Sequence, residues 1–165
     1  MAITYVNVFE DNLYDNLRTI IGAEFDQSTG LDINNIKLGE IEESDTGKFT
    51  HGFLTVVPVE DIHLEWVGQM DERRYTLQLN YYRQFHRMIE NTYDELSDFA
   101  EHLRQLLANN SDYSPSGVYK WHDGIVELVD YSQDLEELEE LTEEPIEGVS
   151  VVRLTFSAVV ATEFV

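Results

Sequence analysis

Apolar and polar side chains alternate strictly over residues 75–81, and this two-residue period constrains the fold more than any other feature. Side chains of a β-strand point alternately to the two faces of a sheet, so this run is typical of a strand buried on one face. Residues 62–66 alternate in the same way, and residues 52–58 also indicate a strand. The segment GQMDERR before Tyr75 is long enough for a hairpin loop. These segments predict an antiparallel sheet with one face buried.

Two further strand predictions lie in the C-terminal half. Residues 117–121 and 124–131 predict a second hairpin, which turns at residues 122–124. The last strand is predicted at 149–160, and one of its faces is uniformly apolar: Val152, Leu154, Phe156, Ala158 and Val160.

Apolar side chains at three- and four-residue spacing indicate two helices. The first spans the N-terminal 22 residues, ends at Gly22, and has an apolar face of Val6, Phe9, Leu13, Leu17 and Ile20. The second begins at a capping box, Thr92 to Glu95, and ends at Asn109. Its apolar face comprises Ile89, Tyr93, Leu96, Phe99, Leu103 and Leu106.

Two segments carry no sustained period. Residues 23–50 predict a long irregular arm or loop with one short strand near residues 36–41, and residues 134–147 predict a short acidic turn with eight carboxylates. No repeat or change of composition divides the chain, so residues 1–165 predict a single domain. The element order predicts an α+β fold, a mainly antiparallel sheet with two helices packed on one face.

The charge of the chain is strongly negative, because 33 acidic residues stand against 10 basic ones and give a net charge of -23. Such a surface repels nucleic acid and anionic membranes and favours basic partners. Three interpretations of the charge are open: solubility in a salty medium, a surface past which DNA slides, and a mimic of DNA.

Several classes of protein are excluded or disfavoured. The chain has no cysteine, so disulfides and thiolate sites are absent. The N-terminus lacks a basic region followed by an apolar run, and no apolar stretch approaches the roughly 20 residues that span a bilayer. The sequence therefore predicts a soluble protein that is made in the cytoplasm and does not contact a membrane.

No catalytic, cofactor-binding or metal-binding motif is evident. None of the five histidines has the ligand spacing of a zinc or non-haem iron site, and residues 134–147 lack the glycine and spaced ligands of a calcium loop. Phosphate-binding and nucleophile motifs are missing as well. We therefore predict a protein that is not an enzyme and takes no cofactor, although a site assembled from distant residues is not excluded at this stage.

Four arginines lie within fifteen residues and are the strongest candidates for a contact between subunits: Arg73, Arg74, Arg83 and Arg87. A basic edge that meets an acidic edge of a second copy makes a head-to-tail contact, which closes into a ring. The alternative is charge balance within one chain.

The order of elements resembles the tail terminator, or tail-completion, proteins of long-tailed bacteriophages. The resemblance covers roughly residues 5–165 and is carried by the N-terminal helix, the strand that ends in Pro58, the hairpin through YTLQLNY (75–81), the helix ELSDFAEHLRQLLANN (95–110), the predicted second hairpin and the closing VSVVRLTFSAVV (149–160). It implies a structural virion protein of the tail or neck, made in the host cytoplasm.

The resemblance also implies partners and sites. A homo-oligomeric ring, hexameric in this family, would cap the tail tube protein, join it to the head–tail connector protein, and let DNA pass without specific binding. The four arginines would join neighbouring subunits. The lumen or rim would be lined by acids of the 134–147 segment: Asp134, Glu136, Glu137, Glu139, Glu140, Glu143 and Glu144.

Three other functions remain open at this stage. The chain also fits another neck or baseplate component of the same viruses. A DNA-mimic inhibitor fits the charge and the small size, and a salt-adapted enzyme fits the acidic surface.

Overall fold

The computed structural model describes residues 5–25, 31–84, 92–131 and 148–163. A π-helical segment, Phe9–Tyr14, leads into helix α1 (Asp15–Phe25), and the second long helix is α2 (Thr92–Asn109). The strands are β1 (Ile36–Leu38), β2 (Phe53–Val67), β3 (Met70–Gln84), β4 (His122–Asp130) and β5 (Val149–Glu163). They form one five-stranded sheet in the order β1-β2-β3-β5-β4. The β1–β2 pair is parallel and the other pairs are antiparallel, so the predicted α+β class is confirmed.

The first hairpin is longer and tighter than the sequence predicted. The strands expected at 52–58 and 62–66 are one strand, β2, and the turn to β3 consists of Gly68 and Gln69 alone. Register shifts between Pro58 and Glu60 and between His63 and Glu65 interrupt the alternation of side chains. The sequence pattern therefore shows two short strands where the structure has one continuous strand.

Both helices pack on one face of the sheet, which we call the helix face. On this face Phe25 of α1 meets Phe99 of α2 with ring centroids 4.7 Å apart, and Phe99 stacks on Tyr81 of β3 at 3.6 Å. The predicted helix end at Gly22 was wrong, because α1 continues to Phe25. The buried Phe25 side chain and the close approach of Gly22 to Ile33 hold this last turn against the following segment.

The described part of the predicted arm, residues 31–50, is packed into the fold. The short strand β1 adds to the edge of β2, and a 3-10 helix, Glu43–His51, covers one end of the face opposite the helices. There Phe49 stacks on Tyr82 at 5.1 Å. The segment lacked a period because its few buried side chains contact different surfaces: Leu31, Ile36, Ile41 and Phe49.

The predicted second hairpin was wrong. Residues 117–121 precede β4 as a loop, and Trp121 forms an isolated bridge with Tyr113. The turn-like residues 122–124 lie inside β4, where the register shifts before Ile125 and Asp123 adopts a φ of 53°. A bulge with a residue of positive φ has the same composition as a tight turn, so the pattern did not separate the two.

The acidic turn predicted at 134–147 lies outside the described residues. The large apolar cluster joins residues from Val8 to Val160 on the helix face. Within the described ranges, neither long helix combines the length and the apolar character that a membrane span requires.

Candidate assembly surfaces

The hairpin between β2 and β3 extends past the part of the sheet that the helices cover. From Pro58 onwards every residue of β2 is exposed, and β1 pairs with β2 only at residues 54–56. We call the outer side of β2 from Val59 to Val67 the hairpin edge. Its large apolar side chains are exposed by 38% to 61%: Val59, Ile62, Leu64, Trp66 and Val67. These side chains lie on both faces of the hairpin, because Trp66 pairs with Asp71 and Ile62 pairs with Arg74, which points to the other face. A soluble monomer rarely exposes so many large apolar side chains on one strand, so the hairpin edge is a candidate contact surface.

A buried carboxylate ties the two strands of this hairpin together. Asp71 of β3 is 4% exposed, and its Oδ1 lies 2.7 Å from Nδ1 of His63 on β2. Its Oδ2 accepts a hydrogen bond from Nε of Arg73, whose guanidinium also reaches the hydroxyl of Tyr75 at 3.4 Å. Because Trp66 pairs with Asp71 in the register, this cluster lies beside the exposed indole on the same face of the hairpin.

Asp71 stays ionised in these surroundings. Burial on its own would raise the pKa of the carboxyl, but the hydrogen bonds with His63 and Arg73 outweigh burial and lower the pKa of Asp71 below its usual value. Burial raises the pKa of Tyr75, so this hydroxyl remains protonated. The cluster therefore stabilises the hairpin as a fixed charge pair.

Strand β4 forms the opposite edge of the sheet, and two of its apolar side chains are exposed. Ile125 is 57% and Leu128 is 58% exposed. Between them, Glu127 lies at a register shift and accepts a hydrogen bond from the Ser157 hydroxyl at 2.9 Å. Among the described residues no strand pairs with the outer side of β4, so the sheet has a candidate contact surface at each edge.

An apolar cavity of about 490 Å³ lies where the loop before β4 meets β3 and β5. We call it the β5 cavity. Three sheet residues on the face opposite the helices line it: Met70, Val159 and Ala161. The exposed loop side chains Val118 and Tyr119 and the buried Trp121 complete the lining. Its lining, as far as the chain is described, contains no carboxylate.

A more polar groove of about 580 Å³ lies beside β4. Its charged lining residues are Arg74, Asp123 and Glu127, and Ser111 and Ser157 contribute hydroxyls. Arg74 pairs with Val159 in the register, and Val159 lines the β5 cavity, so the groove and the cavity adjoin.

The arginines grouped in the sequence do not form one cluster in the structure. Arg73 lies on the helix face beside Asp71, and Arg74 lies exposed on the opposite face. Arg83 is near the far end of β3, ten residues from Arg73, which corresponds to roughly 33 Å of strand. Arg87 lies outside the described residues. Of the three described arginines, Arg74 is therefore the best placed for contact with a second chain.

Three of the described histidines, His63, His102 and His122, each pair with one carboxylate. His102 reaches Glu24 at 2.8 Å, and His122 reaches Asp123 at 3.1 Å. Within the described ranges, no group of three or more histidine and acidic side chains is placed to hold a metal ion. The seven acids proposed for a lumen or rim lie outside those ranges.

The exposure of the hairpin edge was missed by sequence reasoning. Residues 62–66 alternate as a half-buried strand does. Among the described residues, however, no helix or loop covers either face of that part of β2. Alternation shows that two faces differ and not that one of them is covered within the same chain. The sequence feature that could have indicated this exposure is Trp66, a large aromatic residue in a strand that also carries the polar His63 and Glu65.

Comparison with protein-family models and with curated proteins finds no match for this chain. The function proposed below is therefore argued from the fold and its exposed surfaces.

Proposed function

We propose that this chain is a structural virion protein that assembles into a ring, and that it works as a tail terminator, capping the tail tube and joining it to the head connector. The observation that carries the proposal is the row of exposed apolar side chains along the hairpin edge. Apolar area of this kind is stabilised when another chain covers it. The virion role itself rests on the resemblance in element order.

Association of copies through the two sheet edges is expected to depend on the salt concentration. The hairpin edge carries Glu60, Asp61 and Glu65, and β4 carries Asp123, Glu127 and Asp130. With a net charge of -23, copies repel one another at low salt. Screening shortens the range of this repulsion from about 30 Å at 0.01 M to about 3 Å at 1 M, while apolar contact persists. Assembly is therefore expected to strengthen with salt.

The first experiment measures native mass by light scattering at low and high salt, with negative-stain images of each fraction. We expect closed rings of about six chains of 19.1 kDa at high salt. Monomers at every salt and protein concentration would contradict a ring that forms by itself.

A second experiment separates a terminator from other assemblies. Purified rings are added to growing tail tubes of the matching virus, and tube length is measured by electron microscopy. A terminator stops growth at one end of the tube. Rings that leave tube length unchanged indicate another neck or baseplate component. A monomer that displaces DNA from a DNA-binding protein indicates a DNA mimic.

A further inference from the structure

We infer that Trp66 of one copy inserts into the β5 cavity of the next copy, so that successive copies join head to tail. The inference rests on the proposed function, because it specifies the contact through which the copies of the ring associate.

Trp66 has the properties of an interface anchor. Its residue is 61% exposed although tryptophan gains more than most side chains from burial, and its indole contacts the His63 ring at a centroid distance of 5.5 Å. The Asp71 cluster fixes the strand beneath it. Exposed tryptophans on a rigid support are typical of the residues that dominate binding energy at interfaces.

The β5 cavity fits such an anchor in size and chemistry. Its volume of about 490 Å³ falls within the roughly 300–1,000 Å³ of cavities that hold small molecules, so it can hold an indole. The exposed Val118 and Tyr119 form its outer wall, at 69% and 57% exposure. Covering them together with Trp66 removes apolar surface of both copies from water.

The geometry requires that the two partners belong to different copies. Trp66 pairs with Asp71, whose side chain lies on the helix face with His63 and Tyr75. The cavity is lined by Met70 and Ala161, which occupy the alternate positions of β3 and β5 and so point to the other face. Trp66 and these two lining residues of its own chain therefore point to opposite faces of the sheet, which favours a partner from another copy. A protrusion and a cavity at different places make a head-to-tail contact, which repeats and closes when the rotation between copies allows.

Charge also favours this pairing. Trp66 is flanked by the exposed acids Asp61 and Glu65 on the hairpin edge. The described lining of the β5 cavity contains His122 and no carboxylate, and Lys120 lies between Tyr119 and Trp121. Among the described residues, the acids that border the cavity are Glu72 and Glu163, which pair with Ala161 and Met70 in the register. His122 and Lys120 are therefore the groups that offset the charge of Asp61 and Glu65, and salt must screen the remaining repulsion.

The two tryptophans make the contact measurable by fluorescence. Trp121 is 0% exposed and Trp66 is 61% exposed, so acrylamide, a neutral quencher, reaches only Trp66 in the monomer. On assembly at high salt we expect the accessible part of the emission to disappear and the spectrum to shift to shorter wavelength. The same titration with Trp66→Ala isolates the signal of Trp121.

Two variants test the partners separately. Trp66→Ala removes the anchor, and Val118→Glu places a charge on the cavity wall. Both positions are exposed, so both variants should keep the circular dichroism of the wild type. Val118→Glu should also keep the melting temperature, whereas Trp66→Ala should lower it slightly, because the indole packs on the His63 ring beside Asp71. We expect each to raise the dissociation constant of the assembly by roughly 30-fold or more. Tyr93→Ala, which removes an aromatic residue of similar exposure near the start of α2, is the matched control and should assemble normally.

Mixing the two variants distinguishes a head-to-tail contact from other arrangements. The Val118→Glu chain retains Trp66, and the Trp66→Ala chain retains an intact cavity, so one contact forms between them and the remaining surfaces cannot extend it. We expect mixed dimers from two monomeric variants.

The outcomes separate the inference from the proposed function. Rings in which Trp66 stays accessible to acrylamide, or that persist in both variants, overturn this contact and leave the ring in place. Filaments or dimers that depend on Trp66 and the cavity support the contact and contradict a ring. Wild-type monomers at every salt concentration overturn both.

Discussion

Gly52, which precedes β2, lies against the ring of Tyr81 on β3, so closely that a Cβ on Gly52 would stand 2.5 Å from the Tyr81 hydroxyl oxygen. The φ of Gly52 is 88°, a conformation that other residues rarely adopt. The buried face of Tyr81 in turn stacks on Phe99 of α2. One glycine therefore allows the chain to enter β2 while Tyr81 keeps its place in the core.

Replacement of Gly52 by alanine is expected to destabilise the fold. Both the positive φ and the collision with Tyr81 act in the same direction, so we expect a loss of about 2–4 kcal/mol in the free energy of unfolding. Chemical denaturation measures it. Gly47→Ala is the control, because nothing lies within 4 Å of its Cβ position and its φ is not positive. Equal losses in the two variants would show that the contact with Tyr81 is unimportant.

The Asp71 cluster gives the stability of the fold a defined pH dependence. Since the pKa of Asp71 is lowered in the folded state, the carboxylate contributes stability above its unfolded pKa of about 3.9, and the contribution is lost as the pH falls through the folded pKa. Asp71→Asn should cost about 1–3 kcal/mol at neutral pH. Denaturation from pH 7 to pH 2 should show this difference shrinking below about pH 4. A difference that is constant with pH would contradict the assigned charge.

An ion pair between Lys37 and Asp45 stabilises the segment before β2. Nζ of Lys37 lies 2.8 Å from Oδ2 of Asp45, and that oxygen also accepts the backbone N–H of Glu42 at 2.8 Å. Lys37→Met removes one of these contacts, and Asp45→Ala removes both. We therefore expect a loss of about 1–2 kcal/mol for the first and a larger one, about 2–4 kcal/mol, for the second. Equal losses in thermal denaturation would indicate that the backbone contact adds nothing.

Arg73 and Arg74 are adjacent in sequence but should behave differently when each is changed to glutamate. Arg74 is exposed in the groove beside β4, so Arg74→Glu should leave the unfolding free energy within about 0.5 kcal/mol of wild type and weaken assembly. Arg73→Glu places a second carboxylate beside buried Asp71 and should destabilise the monomer by about 1–3 kcal/mol. Denaturation and light scattering on each variant separate the two effects. Identical behaviour would mean that the two faces of β3 do not differ in function.

Local pattern predicted the regular parts of this fold well. The apolar period of α2 is confirmed from Leu96 to Leu103, and so is the alternation of β3 and β5, because each of these elements has one face against a continuous core. Tyr93, which was predicted on the apolar face of α2, is exposed. Pattern failed where geometry departs from the regular period. The bulges of β2 and β4 shift the alternation, and the positive φ of Asp123 resembles a turn residue in sequence. The surfaces proposed for assembly were only partly foreseen, since the arginines were named and the hairpin edge was not.

The sequence alone determined the α+β class, the two amphipathic helices and the strongly negative charge, because these follow from the period and composition of continuous segments. Tertiary structure alone decided which side chains remain uncovered. Trp66 and Phe156 are both large apolar residues in strands, yet one is 61% exposed and the other is 0% exposed. Exposure depends on which distant segments lie over a strand. Here the helices cover β5 and leave the end of the hairpin open, and no local pattern records that arrangement.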